Sequence, residues 1–302
     1  MNVARIKARA DELQRSRSWL AFPFAVIKKF GDDSSGNLAV LITYYVFFSI
    51  FPLLLALFSI TGFVLAGHPS WIHKIQGGAL RQFRDLPLIH GPVPRHGSVI
   101  VVVIGSVLAL YSGLGVAKTA QTVWDTVYGV PKADQPGFIP KNLRALRLVL
   151  VGGLGVIATT GLSGAVASGG AIGLHVSPAL SVAGYAVTLV LNTLLFTVVF
   201  RWLTVRDVSF RQALPGAAMF AVSLVILQAV VPAFIAHKLS TAEAQYGVAG
   251  SVLVLLGWFY LQSQILLLAA QVNVVKQDRL WPRSLNEDPA DNDQTCQADS
   301  GA

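Results

Sequence analysis

The chain has 302 residues, of which 54% are hydrophobic and 13% are charged, and its mean hydropathy is +0.60. Soluble domains carry about 25% charged residues, so this composition excludes a soluble globular protein and also excludes disorder over most of the chain. The net charge is +8, and the single cysteine, Cys296, excludes a disulfide scaffold and a cysteine-rich zinc or iron–sulfur site.

Residues 1–37 form a basic segment ahead of the first apolar run. Within it, residues 19–30 place large apolar side chains near one helical face, with Lys28 and Lys29 beside them. This pattern predicts an amphipathic helix in the membrane interface. The alternative is a cytoplasmic helix that packs on the other helices. The apolar positions are Trp19, Phe22, Val26 and Phe30.

Six apolar runs have the length of about 20 residues that is needed to cross the hydrocarbon core of a bilayer. None of these runs contains Asp, Glu, Lys, Arg or His. The sequence therefore predicts an all-α, polytopic membrane protein with six transmembrane helices and short interfacial amphipathic helices. Pro52, Pro215 and Pro232 predict bends in three of the helices. The runs are 38–66, 98–117, 148–167, 179–200, 213–236 and 247–275.

Basic residues are distributed unequally between the two sides of the membrane. The side that carries both termini has 18 Lys and Arg residues and the other side has five. The positive-inside rule therefore predicts a bacterial inner-membrane protein with both termini in the cytoplasm. The predicted domains are a cytoplasmic segment over 1–37, a six-span domain over 38–275 and an acidic, largely disordered cytoplasmic tail over 276–302. Four residues of the basic side are predicted to contact anionic lipid head groups, namely Lys28, Lys29, Arg144 and Arg147.

Two long connections are predicted between the runs. The outer connection, 67–97, has the pattern of a short helix on the membrane surface. In the inner connection, 118–147, Trp124 and Tyr128 are predicted to anchor the chain at the interface. Prolines at 131, 136 and 140 predict that this connection is not one continuous helix.

Small residues recur at every fourth position in the second and third runs, which places them on one helix face. We expect this face to pack against a neighbouring helix, and a dimer interface is the alternative. The residues concerned are Gly105, Ala109 and Gly113 in the second run, with Gly161, Ala165 and Gly169 in and just beyond the third.

The sequence predicts no enzymatic activity, no metal and no cofactor. It contains neither a G-x-S-x-G motif nor a Walker A motif, so a serine nucleophile and ATP hydrolysis by this chain are not indicated. The basic side is explained by topology and anionic lipids, so no nucleic acid partner is expected. The alternative is an outer-surface hydrolase built on His73, His90 and His96, although their spacing is not that of a metal site.

Uncharged polar residues occur inside three of the apolar runs. They are predicted to line a substrate path, and interhelical hydrogen bonding is the alternative. These residues are Asn192 and Thr193 in the fourth run, Gln228 in the fifth, and Gln262, Gln264, Gln271 and Asn273 in the sixth.

Several segments resemble the YihY/BrkB family of inner-membrane proteins, and within it the YhjD-like branch. They follow one another in order over roughly residues 19–280 and lie at 30–33, 38–55, 123–131, 192–196, 214–217 and 246–273. The resemblance implies a six-span inner-membrane protein with both ends inside and a role in transport or envelope lipids. Members have been labelled ribonuclease BN, but this chain has no residues for a nuclease site. The family often has an acid at the position of Gln271.

Together these features predict an ATP-independent transporter or lipid-handling, flippase-like protein of the cell envelope. Its substrate is expected to be amphipathic and anionic. Membrane lipids, anionic ones in particular, are the expected partners, and a homo-oligomer or an envelope protein partner stays open. The alternative is a non-catalytic membrane scaffold for partners in envelope synthesis.

Overall fold

A computed structural model of the chain describes residues 18–66, 99–171, 178–227 and 247–281. The regular structure in these ranges is helical, and six of the helices, α2 to α7, are long and apolar enough to cross a membrane. The prediction of an all-α chain with six membrane-spanning helices is confirmed. The helices are α1 (Ser18–Asp32), α2 (Ser35–Ala66), α3 (Val99–Val127), α4 (Phe138–Ala171), α5 (Pro178–Leu203), α6 (Phe210–Leu227) and α7 (Val248–Asp278).

Helices α3 and α4 extend beyond the apolar runs that predicted them. Helix α3 continues past Lys118 and Asp125 to Val127, and α4 begins at Phe138. The prediction that residues 118–147 do not form one continuous helix is confirmed, because the helix breaks between Val127 and Phe138. The connection is shorter than predicted, since both flanking helices extend into it. Pro140 lies in the first turn of α4, where a missing N–H costs little because the N–H groups there have no intrahelical partner.

The contacts divide the chain into two units, of which one is Tyr45–Val116 and the other consists of Met1–Tyr44 and Ala117–Ala302. In the Tyr45–Val116 unit, α2 and α3 approach closely. A Cβ atom added to Gly105 would lie 3.2 Å from the Cα atom of Ala56. Gly105 therefore allows the two helix backbones to come together, as small residues do in membrane proteins.

The other small residues of the predicted packing faces are less informative. Ala109 and Gly113 are partly buried in α3. The side-chain environment of α4 at Gly161, Ala165 and Gly169 lies outside the described residues.

In the larger unit, neighbouring helices run antiparallel. The hydroxyl groups of Thr43 in α2 and Ser263 in α7 are 3.2 Å apart, and Ser35 at the start of α2 meets Gln271 near the end of α7. Helices α6 and α7 meet in the same way, through Gly216 and Asn273. Helix α7 therefore runs antiparallel to both α2 and α6.

Helix α1 packs against α7. Its residues Ala25 and Val26 are 0% and 4% exposed, and the ring of Phe22 meets that of Trp281 edge-on at 5.4 Å. This is the packing that the sequence offered as an alternative for residues 19–30. The outer face of α1 keeps an apolar residue, Ile27, which is 66% exposed, so the interfacial location stays a prediction.

The outer faces of the spanning helices are apolar. Ile100 in α3 and Ile157 in α4 are 70% and 69% exposed, for example. Side chains of this kind face hydrocarbon in a membrane protein, because the lipid is as apolar as they are.

The three prolines predicted to bend helices lie in the middle of a helix, near the start of a helix and outside the described residues, respectively. Pro52 lies inside α2, which continues on both sides of it to Ser35 and Ala66. Pro215 lies in the second turn of α6. Pro232 lies outside the described residues.

Candidate functional site

Buried and partly buried polar side chains of the larger unit are concentrated where the helix ends meet. The starts of α2 and α6 and the ends of α3, α5 and α7 lie together there. Because neither lipid nor apolar side chains can satisfy polar atoms, a polar group here is favourable when it bonds to another polar group. We call this set the polar layer. It comprises Asp33, Ser35, Asp125, Tyr128, Thr204, Arg206, Gln271, Asn273 and Asp278.

Asp125 fastens the end of α3 to the segment between α5 and α6. Its carboxylate is 2% exposed and accepts hydrogen bonds from the backbone N–H of Val205 at 2.9 Å and the hydroxyl of Thr204 at 3.1 Å. The sequence did not single out this residue, because its helix was expected to end eight positions earlier. The only feature of the sequence that indicated a buried role for Asp125 was its position next to Trp124.

Trp124 and Tyr128 are buried, at 0% and 4% exposure. Their prediction as interfacial anchors is therefore wrong, and the reason is that α3 carries them into the larger unit instead of leaving them at the membrane surface. The Trp124 ring packs 5.1 Å from that of Phe200. Among the described residues, neither the indole N–H of Trp124 nor the hydroxyl of Tyr128 has a hydrogen-bond partner.

Arg206 and Asp278 form a two-pronged ion pair that joins the α5–α6 segment to the end of α7. The two guanidinium nitrogens lie 2.9 Å and 2.6 Å from the two carboxylate oxygens. Hydrogen bonding to Asp278 raises the pKa of Arg206 above its ordinary value, so the arginine stays charged. The fork geometry fixes both the distance and the orientation of the two segments.

We expect a double-mutant cycle with Arg206→Gln and Asp278→Asn to give a coupling energy of about 1 kcal/mol. The value is modest because 38% of the arginine side chain is exposed and solvent screens the pair. Unfolding titrations in mixed micelles at low and high salt measure it, and the coupling should weaken as salt rises. The Lys28–Asp32 pair within α1 is the matched control, for which about 0.3–0.5 kcal/mol is expected. Zero coupling at low salt would contradict the prediction.

Gln271 connects three segments of the chain. Its side chain is fully buried, and its amide nitrogen donates to Asp33 at 2.7 Å and to Ser35 at 3.1 Å. Asp33 in turn accepts from Lys29 at 2.7 Å. A carboxylate in place of Gln271 would face the carboxylate of Asp33, and one of the two would have to hold a proton. The amide found here donates to Asp33 without that requirement.

Asn273 bonds to the first turns of α6. Its amide oxygen accepts from the backbone N–H of Gly216 at 2.7 Å, and its nitrogen donates to the carbonyl of Ala213 at 3.1 Å. Gly216 is the seventh residue of α6, beyond the N–H groups that lack a partner at a helix start, so Asn273 links α7 to the side of α6 and does not cap it. Gln271 and Asn273 thus make the interhelical bonds that were the alternative to a substrate path.

The remaining candidates for the substrate path are not part of the polar layer. Asn192 and Thr193 are partly buried in α5, and the hydroxyl of Thr193 donates to the carbonyl of Leu189 in its own helix. Gln262 and Gln264 are partly buried in α7, and Gln228 lies outside the described residues. The substrate path stays a prediction.

Three of the four residues predicted to contact lipid head groups interact with another side chain of the protein. Lys28 and Lys29 form ion pairs with Asp32 and Asp33 at 2.6 Å and 2.7 Å. The guanidinium of Arg147 lies 4.1 Å from the ring centre of Trp202. Arg144 is partly buried in α4. Contact with head groups stays a prediction for all four.

A polar pocket of about 220 Å³ opens beside the polar layer. Burial raises the pKa of Tyr128 to about 12, so its hydroxyl keeps its proton near neutral pH and acts as a donor. Part of the polar layer thus faces a space that a ligand can enter. The lining residues are Lys29, Val127, Tyr128, Gly129, Arg206, Val274, Asp278 and Leu280.

In the part of the chain that the structure describes, no group of three or more His, Cys, Asp or Glu residues could hold a metal ion. The histidines of the alternative hydrolase site, His73, His90 and His96, lie outside that part. The Cys296 tail lies outside it as well.

Comparison with known proteins places these features in a family. The model of the family described as virulence factor BrkB matches residues 26–294. The chain is 26% identical over 287 residues to the inner membrane protein YhjD of Escherichia coli strain K12, and the match covers 86% of this chain and 82% of that protein. No solved structure matches the chain.

Proposed function

Since the chain belongs to the virulence factor BrkB family and is a multi-pass inner-membrane protein, we propose that it is a flippase-like, lipid-handling transporter of the cell envelope. The family membership agrees with the resemblance seen in the sequence. In this proposal the substrate is amphipathic and anionic, and the protein works without ATP and without covalent chemistry. The sequence contains no Walker A motif, which supports the absence of ATP hydrolysis by this chain.

The observation that carries the proposal is the polar pocket beside helices with apolar outer faces. A lipid needs a polar recess for its head group and an apolar surface for its chains. Lys29 and Arg206 bring positive charge to the pocket, while exposed apolar side chains cover the outer faces of the helices. In this proposal the pocket holds the head group, and the apolar helix faces contact the acyl chains.

The charge distribution supports a cytoplasmic location for the pocket. The pocket lies at the start of α2 and the end of α7, which is the side of both chain termini. That side holds 18 of the 23 basic residues, as the cytoplasmic side of an inner-membrane protein does. Anionic lipids of the cytoplasmic leaflet are attracted to such a surface.

Lipid mass spectrometry on the gently purified protein tests the proposal. We expect strong enrichment of one anionic lipid or lipid-linked precursor over the bulk membrane, because the pocket selects for charge and head-group size. A bound-lipid profile that matches the bulk membrane would contradict lipid handling and would favour the scaffold role.

The enriched lipid then serves as the substrate in a flipping assay with reconstituted vesicles. Replacing Asn192 and Gln264 with leucine is expected to abolish flipping and leave membrane insertion intact, because both side chains offer polar atoms within the spanning helices. Asn142→Leu, which changes the same residue type near the start of α4, is the control and should flip normally. Unchanged flipping in the double variant would remove these residues from the path.

A further inference from the structure

We propose that the polar pocket binds the phosphate oxygens of a lipid head group, and that the hydroxyl of Tyr128 donates a hydrogen bond to them. This inference deepens the proposed function and rests on it. It names the chemistry that the pocket recognises and the group that recognises it.

The hydroxyl of Tyr128 lacks the acceptor that a buried donor needs. The residue is 4% exposed, lines the pocket and has no hydrogen-bond partner among the described residues. The amide of Asn273 lies close enough to favour the ionised form of Tyr128 and so lower its pKa, but the amide oxygen accepts from Gly216 and the amide nitrogen donates to Ala213. A buried hydroxyl without a partner is unfavourable in the empty protein, so an acceptor that enters the pocket is bound more tightly.

The charged groups around the pocket suit an oxyanion. Lys29 and Arg206 line it as cations, and their carboxylate partners are Asp33 and Asp278. These pairs hold the two cations in place while the pocket is empty. The hydrogen-bond donors carried by the lining side chains are the ammonium of Lys29, the guanidinium of Arg206 and the hydroxyl of Tyr128. A guanidinium presents several N–H groups in a plane that matches phosphate oxygens.

The size of the pocket favours a head group over a lone small ion. Its volume is about 220 Å³, whereas one water molecule occupies about 30 Å³ in the liquid. The apolar residues Val127, Val274 and Leu280 complete the lining. A phosphate with attached glycerol carbons would meet both kinds of surface.

Tyr128→Phe tests the proposal, because it removes the hydroxyl and keeps the ring. Tyr111→Phe is the matched control, at a residue of α3 that is 74% exposed. The purified full chain in detergent micelles is titrated with phosphatidic acid, with diacylglycerol of the same acyl chains, and with inorganic phosphate. The measured quantities are the melting temperature and the apparent affinity for each probe.

We expect phosphatidic acid, and not diacylglycerol, to raise the melting temperature of the wild-type protein. Tyr128→Phe should weaken the affinity for phosphatidic acid about tenfold or more, which is the effect of one hydrogen bond to a charged acceptor. Without ligand the same variant should melt at the wild-type temperature or above it, because the lost hydroxyl had no partner. Tyr111→Phe should behave as wild type.

Other outcomes are equally decisive. Equal affinity of wild type and Tyr128→Phe for phosphatidic acid would overturn the assignment of the pocket, and so would equal stabilisation by diacylglycerol. In a further outcome, inorganic phosphate is the one probe that stabilises the wild-type protein, and it has no such effect on Tyr128→Phe. That result would support a pocket for an oxyanion and would contradict a lipid as the molecule that carries it. If lipid enrichment and flipping persist in Tyr128→Phe, the pocket proposal fails while the proposed function stands.

Discussion

Replacing Gly216 with alanine is expected to destabilise the protein by about 3 kcal/mol, at the upper end of the cost of overpacking a close helix contact. A Cβ atom at this position would overlap the backbone carbonyl oxygen of Ala269 and would lie 2.6 Å from the amide nitrogen of Asn273. The carbonyl belongs to the backbone of α7 and cannot move aside by rotating. Helices α6 and α7 would have to separate, which would also break the hydrogen bond between Asn273 and the N–H of residue 216.

The yield of monodisperse protein on size-exclusion chromatography and its melting temperature measure this effect. Gly257→Ala is the matched control in α7, because no atom lies within 4 Å of the added Cβ. That variant should stay within about 1 kcal/mol of the wild type, which is the span of glycine and alanine helix propensities. If Gly216→Ala melts like Gly257→Ala, the close approach of α6 and α7 at this point is contradicted.

Asp125→Ala is expected to cost about 3 kcal/mol, because it leaves two donors without their acceptor. The backbone N–H of Val205 and the hydroxyl of Thr204 both donate to this buried carboxylate. Asp125→Asn keeps one acceptor oxygen for both donors, but it loses the charge and replaces the second oxygen with an NH2 group, so it should cost about 1 kcal/mol. Unfolding titrations in mixed micelles give both values.

A second aspartate provides the control for this series. Asp134 lies in the exposed 3-10 helix Lys132–Asp134, and Asp134→Ala should change the stability by no more than about 0.5 kcal/mol. A ranking in which Asp125→Ala equals Asp134→Ala would show that Asp125 does not hold the α5–α6 segment.

Hydropathy predicts that each spanning helix exists, but it predicts some helix ends less well than others. The sixth run was expected over 247–275 and the helix is Val248–Asp278. The second run was expected to end at 117, but α3 continues to Val127. Hydropathy reflects the free energy of transferring side chains into lipid. A helix, in contrast, can continue wherever its backbone hydrogen bonds can form. Lys118 and Asp125 ended the apolar run without ending the helix.

The sequence predicted some of the residues of the site, but it did not predict which residues bond to one another. Gln271 and Asn273 stood out as polar residues in an apolar run. Their partners lie 238 and 57 positions away in the chain, in Asp33 and Gly216, and no local pattern connects residues at such separations. Tyr128 was noted as an aromatic residue of the interface, and only the course of α3 shows that its hydroxyl is buried at the pocket.

The contacts of α1 and α2 with α7 also set an order of events during synthesis. Asp33 and Gln271 are 238 residues apart, and a ribosome working at about 5–20 residues per second needs roughly 10–50 s to make that stretch. Throughout this interval the first two helices exist without the partner that buries them. The polar layer can therefore close only when the last span has entered the membrane, so a nascent chain that stops short of α7 exposes unsatisfied polar groups to membrane quality control.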